Sequence, residues 1–275
     1  MIPFDDFGGA GPWLHFAHAN GYPPRAYTPL IERLAPLGRV LAAHARPLWP
    51  GSRPDGFRDW TPLTEDLLAF LDERPERPAF GIGHSMGGVA TLDAALRRPE
   101  LFRAIVLIDP VIFRQRFLWL WETVKGLGLG DRLHPLISGA LRRRRLFPGA
   151  DEMFARYRRA PVFSRIDDRG LRAYVDALAR PRADGQVELA YPPEWEAAIY
   201  RHGPLNLWDR MPRLRVPLLV IYGAESDTFR APAVRKMQRL IPHARFQSVP
   251  GAGHLVPLEK PAEVAGAILA FLQDR

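Results

Sequence analysis

Six short apolar runs, most of them followed by a stretch with helical spacing, constrain this chain more than any other feature. They are WLHFAH (13–18), RVLAAHA (39–45), AFGIGH (79–84), AIVLID (104–109), PLLVIYG (217–223) and ARFQSVP (244–250). Runs of this length, bounded by turn residues, read as strands buried on both faces. Helical patterns fall at 26–37, 62–73, 86–97, 231–240 and 261–273. In the first, Tyr27, Leu30, Ile31, Leu34 and Leu37 share a face; in the second, Leu63, Leu67, Phe70 and Leu71 do. Pro261 suits a first helical turn. Such alternation predicts an α/β fold, a mostly parallel β-sheet with flanking helices.

Between the fourth and fifth runs, about 110–210, the alternation stops. Helical patterns persist there, with large apolar residues: Phe113, Phe117, Trp119, Leu120, Trp121, Phe154, Tyr157, Trp195 and Trp208. A structureless loop of that length does not suit a compact domain. The expected organisation is a core of 1–110 and 211–275 with a helical subdomain, 111–210, inserted into it. Most of the aromatics should form the insert's own core, and some should face a cleft beneath.

Composition narrows the function classes. Cys is absent, which removes disulfides, thiolate metal sites and cysteine nucleophiles. No basic segment followed by an apolar one opens the sequence, and no apolar run reaches the roughly 18 residues a membrane span needs. A cytoplasmic protein is the expectation. The net charge of +8 raises the question of nucleic acid. Only Lys125, Lys236 and Lys260 are lysines, the arginines run along the whole chain, and 28 prolines accompany them. That pattern fits a GC-rich genome better than a binding surface. The one dense cluster, Arg142 to Arg145, lacks the interleaved aromatics that stack bases and reads as a solvated helix face or loop. No nucleic-acid partner is expected.

The chemistry starts at Gly83-His84-Ser85-Met86-Gly87, a G-x-S-x-G sequence. With six serines and 23 glycines in 275 residues, chance supplies such a pentapeptide about 0.04 times. Here it also closes a strand-like run and opens a helix-like one, the setting in which a sharp turn lifts a serine hydroxyl out of a sheet. A serine hydroxyl needs a base, and the base needs an orienting acid. His254 lies in PGAGHLVPLEKP, directly after the sixth run. Asp227 lies in YGAESDTF, after the fifth, and is the expected acid. Glu225, two residues earlier, and Asp109, at the end of the fourth run, are the alternatives. All follow C-terminal strand ends, where parallel sheets gather ligands. A tetrahedral oxyanion would take the backbone N–H of Met86 and, from the HANGYPP loop (18–24), that of Asn20. Trp49, in RPLWPGS, reads either as a pocket wall or as loop packing.

These residues resemble the α/β-hydrolase superfamily over nearly the whole chain. HANGYP, GHSMGG, YGAESD and GAGHLVPLEKP carry the likeness. It implies a capped member with Ser85, Asp227 and His254 as catalytic triad, Met86 and Asn20 as oxyanion hole, and no cofactor or metal. Two departures stand out. About 12 residues precede the first strong strand, so the family's N-terminal hairpin is shortened or missing. Ser226 occupies the Gly-x-x-Asp position, and Asp227 follows it. A serine argues against the dehalogenase and epoxide-hydrolase branches, which use aspartate at the elbow. What remains is hydrolysis of an ester, thioester, lactone or lipid ester, with a small apolar ester-like molecule as substrate. Carbon–carbon bond hydrolysis and perhydrolase chemistry use the same triad. A receptor-type binding protein on this fold is the alternative of another class.

Overall fold

Each of the six runs becomes a strand of one sheet. The computed structural model describes residues 1–74, 78–113, 115–126 and 134–273, excepting the side chains of 115–119 and 122. Phe117 and Trp119 therefore lie outside the described side chains. The strands of the main sheet are β1 (Phe4–Asp6), β2 (Trp13–Ala17), β3 (Arg39–Ala43), β4 (Ala79–His84), β5 (Phe102–Ile108), β9 (Leu218–Gly223) and β10 (Arg245–Val249), in the order β1-β3-β2-β4-β5-β9-β10. All neighbours pair in parallel except β1, which runs antiparallel to β3 through Phe4↔Ala43 and Asp6↔Leu41.

The order sets the place of a site. The chain passes from β2 outward to β3, then back across β2 to β4. The C-terminal ends of β2 and β4 therefore diverge into loops on opposite sides, and a parallel sheet opens its crevice at such a reversal. The 18–24 loop and the Ser85 turn both issue there.

Every residue of β2 and β4 is buried, as are Ala104 to Ile108 of β5. Burying each such Val, Leu or Ile contributes about 1.5–3 kcal/mol. Helix α2 (Thr61–Asp72) covers α3 (Met86–Arg97), and α3 lies on β4 and β5. Small residues suit that middle position: Gly87, Gly88, Ala90, Ala94 and Ala95 are all buried in α3. The 26–37 helix is broken into a turn (Pro24–Tyr27), a single helical turn α1 (Thr28–Ile31) and a tighter 3₁₀ stretch (Glu32–Leu37). Pro36 lies inside the last piece, where it has no N–H for a helical bond.

Between β5 and β9 lie α4 (Gln115–Gly126), α5 (Pro135–Leu141), α6 (Ala150–Arg158), α7 (Asp168–Leu178) and α8 (Pro193–His202). The same stretch has a feature that the apolar pattern does not predict, a three-stranded antiparallel sheet of β6 (Leu146–Phe147), β8 (Val187–Leu189) and β7 (Ala179–Pro181). Strands of two and three residues are too short to show alternation. The Asp184-Gly185 turn that joins β7 to β8, with Gly185 at φ +81°, was the available hairpin signal. Helix α7 rests on the 24–27 turn. Two further helices, α9 (Ala231–Leu240) and α11 (Pro261–Leu272), match their expected spans; between them lies the single turn α10 (Val256–Glu259). Among the described residues no helix is long and apolar enough to cross a membrane.

Candidate active site

Ser85 sits between β4 and α3 with φ 54° and ψ −114°. A non-glycine residue in that region stores about 1–3 kcal/mol of strain. Neighbouring backbone holds it: Ser85 N–H donates to Ile108 O at 2.9 Å, and Val89 N–H donates to Ser85 O at 3.2 Å. The flanking glycines explain how strand and helix approach so closely. A Cβ on Gly83 would stand 2.4 Å from Gly87 O, and one on Gly87 would stand 2.2 Å from Ala17 O. Side chains at positions 83 and 87 would thus block the close approach of strand and helix that the serine corner needs.

His254, in the loop after β10, reaches Ser85. Its Nε2 lies 2.9 Å from Ser85 Oγ, and its Nδ1 lies 2.8 Å from Asp109 Oδ1. A carboxylate only accepts, so Nδ1 carries the proton and Nε2 accepts from the serine hydroxyl. The acid at His254 is therefore Asp109 and not Asp227, which corrects the ranking made from sequence. Asp109 follows β5 with φ 41° and is wholly buried. Its Oδ2 accepts from Gly223 N–H at 3.0 Å and its Oδ1 from the Ser226 hydroxyl at 2.7 Å.

The physical reason lies in strand order and loop position. β5 is next to β4, and Asp109 at its end lies within reach of His254. Ser226, at the Gly-x-x-Asp position, supplies a hydroxyl to Asp109 instead of a carboxylate to His254. Asp227, one residue on, is exposed; its side chain accepts from Thr228 Oγ1 at 3.1 Å. Glu225 is also exposed and pairs with Arg165.

A second histidine ties the parts together. His84 Nε2–H donates to the backbone carbonyl of His254 at 2.9 Å, which leaves Nδ1 to accept from the Tyr27 hydroxyl at 2.7 Å. Tyr27 Oη in turn accepts from Ala19 N–H at 3.2 Å. This directed chain joins the 18–24 loop, the residue before the serine and the loop carrying His254. It requires neutral His84, and burial, the largest influence, pushes that imidazole well below its ordinary pKa. Sequence reasoning did not find Tyr27, Ser226 or this use of His84. The histidine within the G-x-S-x-G sequence was the available signal.

Asn20 and Met86 lie at one cavity of about 290 Å³ together with Ser85 and His254. The Asn20 side chain is fixed from the inserted segment: Nδ2–H donates to Glu196 O at 3.1 Å, and Oδ1 accepts from Tyr191 Oη at 2.9 Å. Residues 1–110 and 211–275 lend the cavity Trp60 and Asp227; residues 111–210 lend Val111, Phe113, Trp121, His134 and Tyr200. Trp60 Nε1–H donates to Ile199 O at 3.0 Å and Trp121 Nε1–H to Arg201 O at 3.1 Å, so both indoles are oriented with their apolar rings available to a ligand. Trp195 and Trp208 are buried in the interior and do not line that cavity. Trp49 packs within its own loop, donating to His44 O at 2.6 Å.

The alpha/beta hydrolase family model matches residues 16–267. The 2-(acetamidomethylene)succinate hydrolase of Mesorhizobium japonicum is 26% identical over 271 residues, which cover 96% of this chain and 89% of that protein. Bifunctional epoxide hydrolase 2 of Sus scrofa is 24% identical over 293 residues; the match takes in 96% of this chain, which spans 52% of that longer protein. The crystal structure of E-2-(acetamidomethylene)succinate hydrolase superposes with a TM-score of 0.81 at 22% identity, covering 99% of this chain and 95% of that one. Sheet order, serine corner and family model converge: the chain belongs to the alpha/beta hydrolase family.

Proposed function

We propose that the protein is a serine hydrolase of carboxylic esters, acting through Ser85, His254 and Asp109 by way of an acyl-enzyme. The observation that carries this reading is the continuous hydrogen-bond line from Ser85 Oγ through both ring nitrogens of His254 to the buried Asp109. Along that line the serine proton passes to His254 Nε2 as Oγ attacks the carbonyl carbon. Base assistance of this kind accelerates acyl transfer by roughly 10²–10⁴. Asp109, its charge already met by Gly223 N–H and Ser226 Oγ–H, holds the imidazole in the receptive tautomer and stabilises the imidazolium.

The tetrahedral oxygen takes the N–H groups of Met86, at the start of α3, and Asn20. Each such donor contributes about 10²–10³ in rate. His254 Nε2–H then protonates the leaving alcohol. Water repeats the sequence on the acyl-enzyme and regenerates Ser85. We assign 111–210 as a cap over a core of 1–110 and 211–275, because both contribute walls to the cavity at Ser85. Its aromatic walls suit an apolar acyl group. Serine at the corner, rather than aspartate, favours acyl transfer over the epoxide opening named for the Sus scrofa relative.

The test is a panel of p-nitrophenyl esters graded by acyl length, run on the wild type and on Ser85→Ala. Turnover lost in the variant supports the reading, and the length optimum sizes the acyl site. Turnover of carbon–carbon substrates alone, or ester turnover unchanged in Ser85→Ala, would overturn it.

A further inference from the structure

Beside the cavity at Ser85 lies a second one of about 570 Å³, and the two share Tyr22, Val162 and Tyr200. The lining of the second is unusual in its charge. It holds Arg142, Arg143, Arg144, Arg156 and Arg159 against a single carboxylate, Glu196. Two of these arginines have carboxylate partners. Arg143 pairs with Glu196 and donates to the hydroxyls of Tyr157 and Tyr174 at 3.0 and 3.2 Å. Arg144 pairs with Glu152 at 2.7 Å.

The other three have no carboxylate among the described residues. Arg142 donates to the neutral Ser138 Oγ at 3.3 Å, and Arg156 and Arg159 have no ion pair there. Arg156 and Arg159 do lie at the C-terminal end of α6, where cations meet the helix dipole. That accounts for neither Arg142, on a different element, nor the gathering of three unbalanced guanidinium groups around one concavity. Such a concavity concentrates positive potential and draws anions, and guanidinium forks match carboxylate and phosphate oxygens in pairs.

We propose that this arginine cavity receives an anionic end of the substrate, a carboxylate or phosphate group, while the scissile acyl carbon lies at Ser85. The substrate is then a two-ended molecule. Its apolar ester portion occupies the aromatic cavity, and its oxyanion crosses the shared rim at Tyr22, Val162 and Tyr200. The Arg143–Glu196 pair lines the arginine cavity with its charges already balanced against each other. This assignment rests on the ester-hydrolase reading for its kinetic arm and stands apart from it for its binding arm.

The kinetic arm compares p-nitrophenyl esters of matched acyl length with a methyl, a carboxylate or a phosphate terminus. They are run on the wild type and on the double variant Arg156→Gln/Arg159→Gln. Both residues are exposed and stand outside the catalytic machinery. The expected result is a preference for an anionic ester that falls about tenfold in the double variant, through KM, while kcat and KM for the methyl-terminated ester stay unchanged; tenfold corresponds to about 1.4 kcal/mol shared between two exposed charge pairs. The anionic ester with the larger fall identifies the anion. Arg156→Glu/Arg159→Glu should reverse the preference.

The binding arm titrates succinate and inorganic phosphate into Ser85→Ala protein by calorimetry, with and without the arginine substitutions. Binding that the double variant loses supports the proposal even if no ester is turned over, and then only the ester-hydrolase reading fails. Equal handling of anionic and methyl-terminated esters by wild type and double variant, with no arginine-dependent binding of either anion, would overturn the proposal.

Discussion

Replacing Asp109 by asparagine separates the arrangement in the structure from the one expected at Asp227. Asp109 accepts three hydrogen bonds, from His254 Nδ1–H, Ser226 Oγ–H and Gly223 N–H. An amide of the same shape keeps one acceptor and presents two donors. Gly223 N–H occupies the acceptor, so the amide nitrogen faces His254 and Ser226. His254 must then turn Nδ1 into an acceptor and move its proton to Nε2, where it faces Ser85 and takes no proton from it. Wrong-tautomer histidine of this kind costs about 10⁴ in kcat in a serine protease, or about 5.5 kcal/mol in activation free energy. KM should change little, because Asp109 is buried behind His254. Loss of the charge-assisted bonds should also cost about 1.5–3 kcal/mol of stability. The control is Asp227→Asn, which removes an exposed carboxylate bonded to Thr228. It should change kcat on a neutral ester by less than about tenfold. The assay is steady-state hydrolysis of p-nitrophenyl butyrate by both variants, with circular dichroism to confirm folding. A folded Asp109→Asn with near wild-type kcat, or an Asp227→Asn with the larger loss, refutes the assignment.

Three other outcomes follow from the same geometry. Burial lowers the pKa of His15 from 6.5 to about 3 and of His18 to about 4. Below pH 6.5 the unfolded chain therefore binds more protons, and stability present above that pH is lost as pH falls toward the folded values. The two together remove roughly 5 kcal/mol between pH 7 and pH 4.5. Urea unfolding at the two pH values should show that loss, and His15→Leu should remove about half of it; an unchanged slope in that variant would disprove the assignment. Gly87→Ala places a methyl group 2.2 Å from Ala17 O, so the variant should unfold at least about 3 kcal/mol more easily, read by its urea midpoint. Tyr27→Phe leaves His84 Nδ1 and Ala19 N–H unpaired inside the protein, a loss of about 1–3 kcal/mol in stability. It should lower kcat on p-nitrophenyl butyrate while Ser85 still reacts with a fluorophosphonate.

The central strands and the helix after Ser85 were legible because their residues are buried on every side, so hydrophobic runs alone define them. β4 and α3 fall at their expected bounds, as do α9 and the start of α11. Ser85 and His254 were legible for a related reason: each lies in a glycine-rich turn directly after a strand. The acid was not, because sequence places Asp109 and Asp227 alike at strand ends. What separates them is the lateral order of β4, β5 and β9, the last of which comes more than 100 residues after the other two. Ser226 was the local clue, since a hydroxyl at the Gly-x-x-Asp position leaves the carboxylate to be supplied elsewhere. The Arg142–Arg145 cluster read as a solvated face. In the structure Arg143 is drawn inward to Glu196, Arg144 and Arg145 pair with Glu152 and Glu194, and Arg142 gathers with Arg156 and Arg159 around a cavity, a juxtaposition of α5, α6 and the segment that follows each. The small sheet of β6, β7 and β8 escaped because its strands are too short to alternate.

The most direct test of the account is the site of covalent capture. Protein mixed with p-nitrophenyl acetate and quenched with acid within the first turnover should carry one added acetyl group on intact mass, and peptide mapping should locate it on Ser85. His254→Ala should abolish the adduct on the same time scale. Steady turnover with no acyl group on Ser85, or an acyl group on another residue that survives Ser85→Ala, would contradict the account.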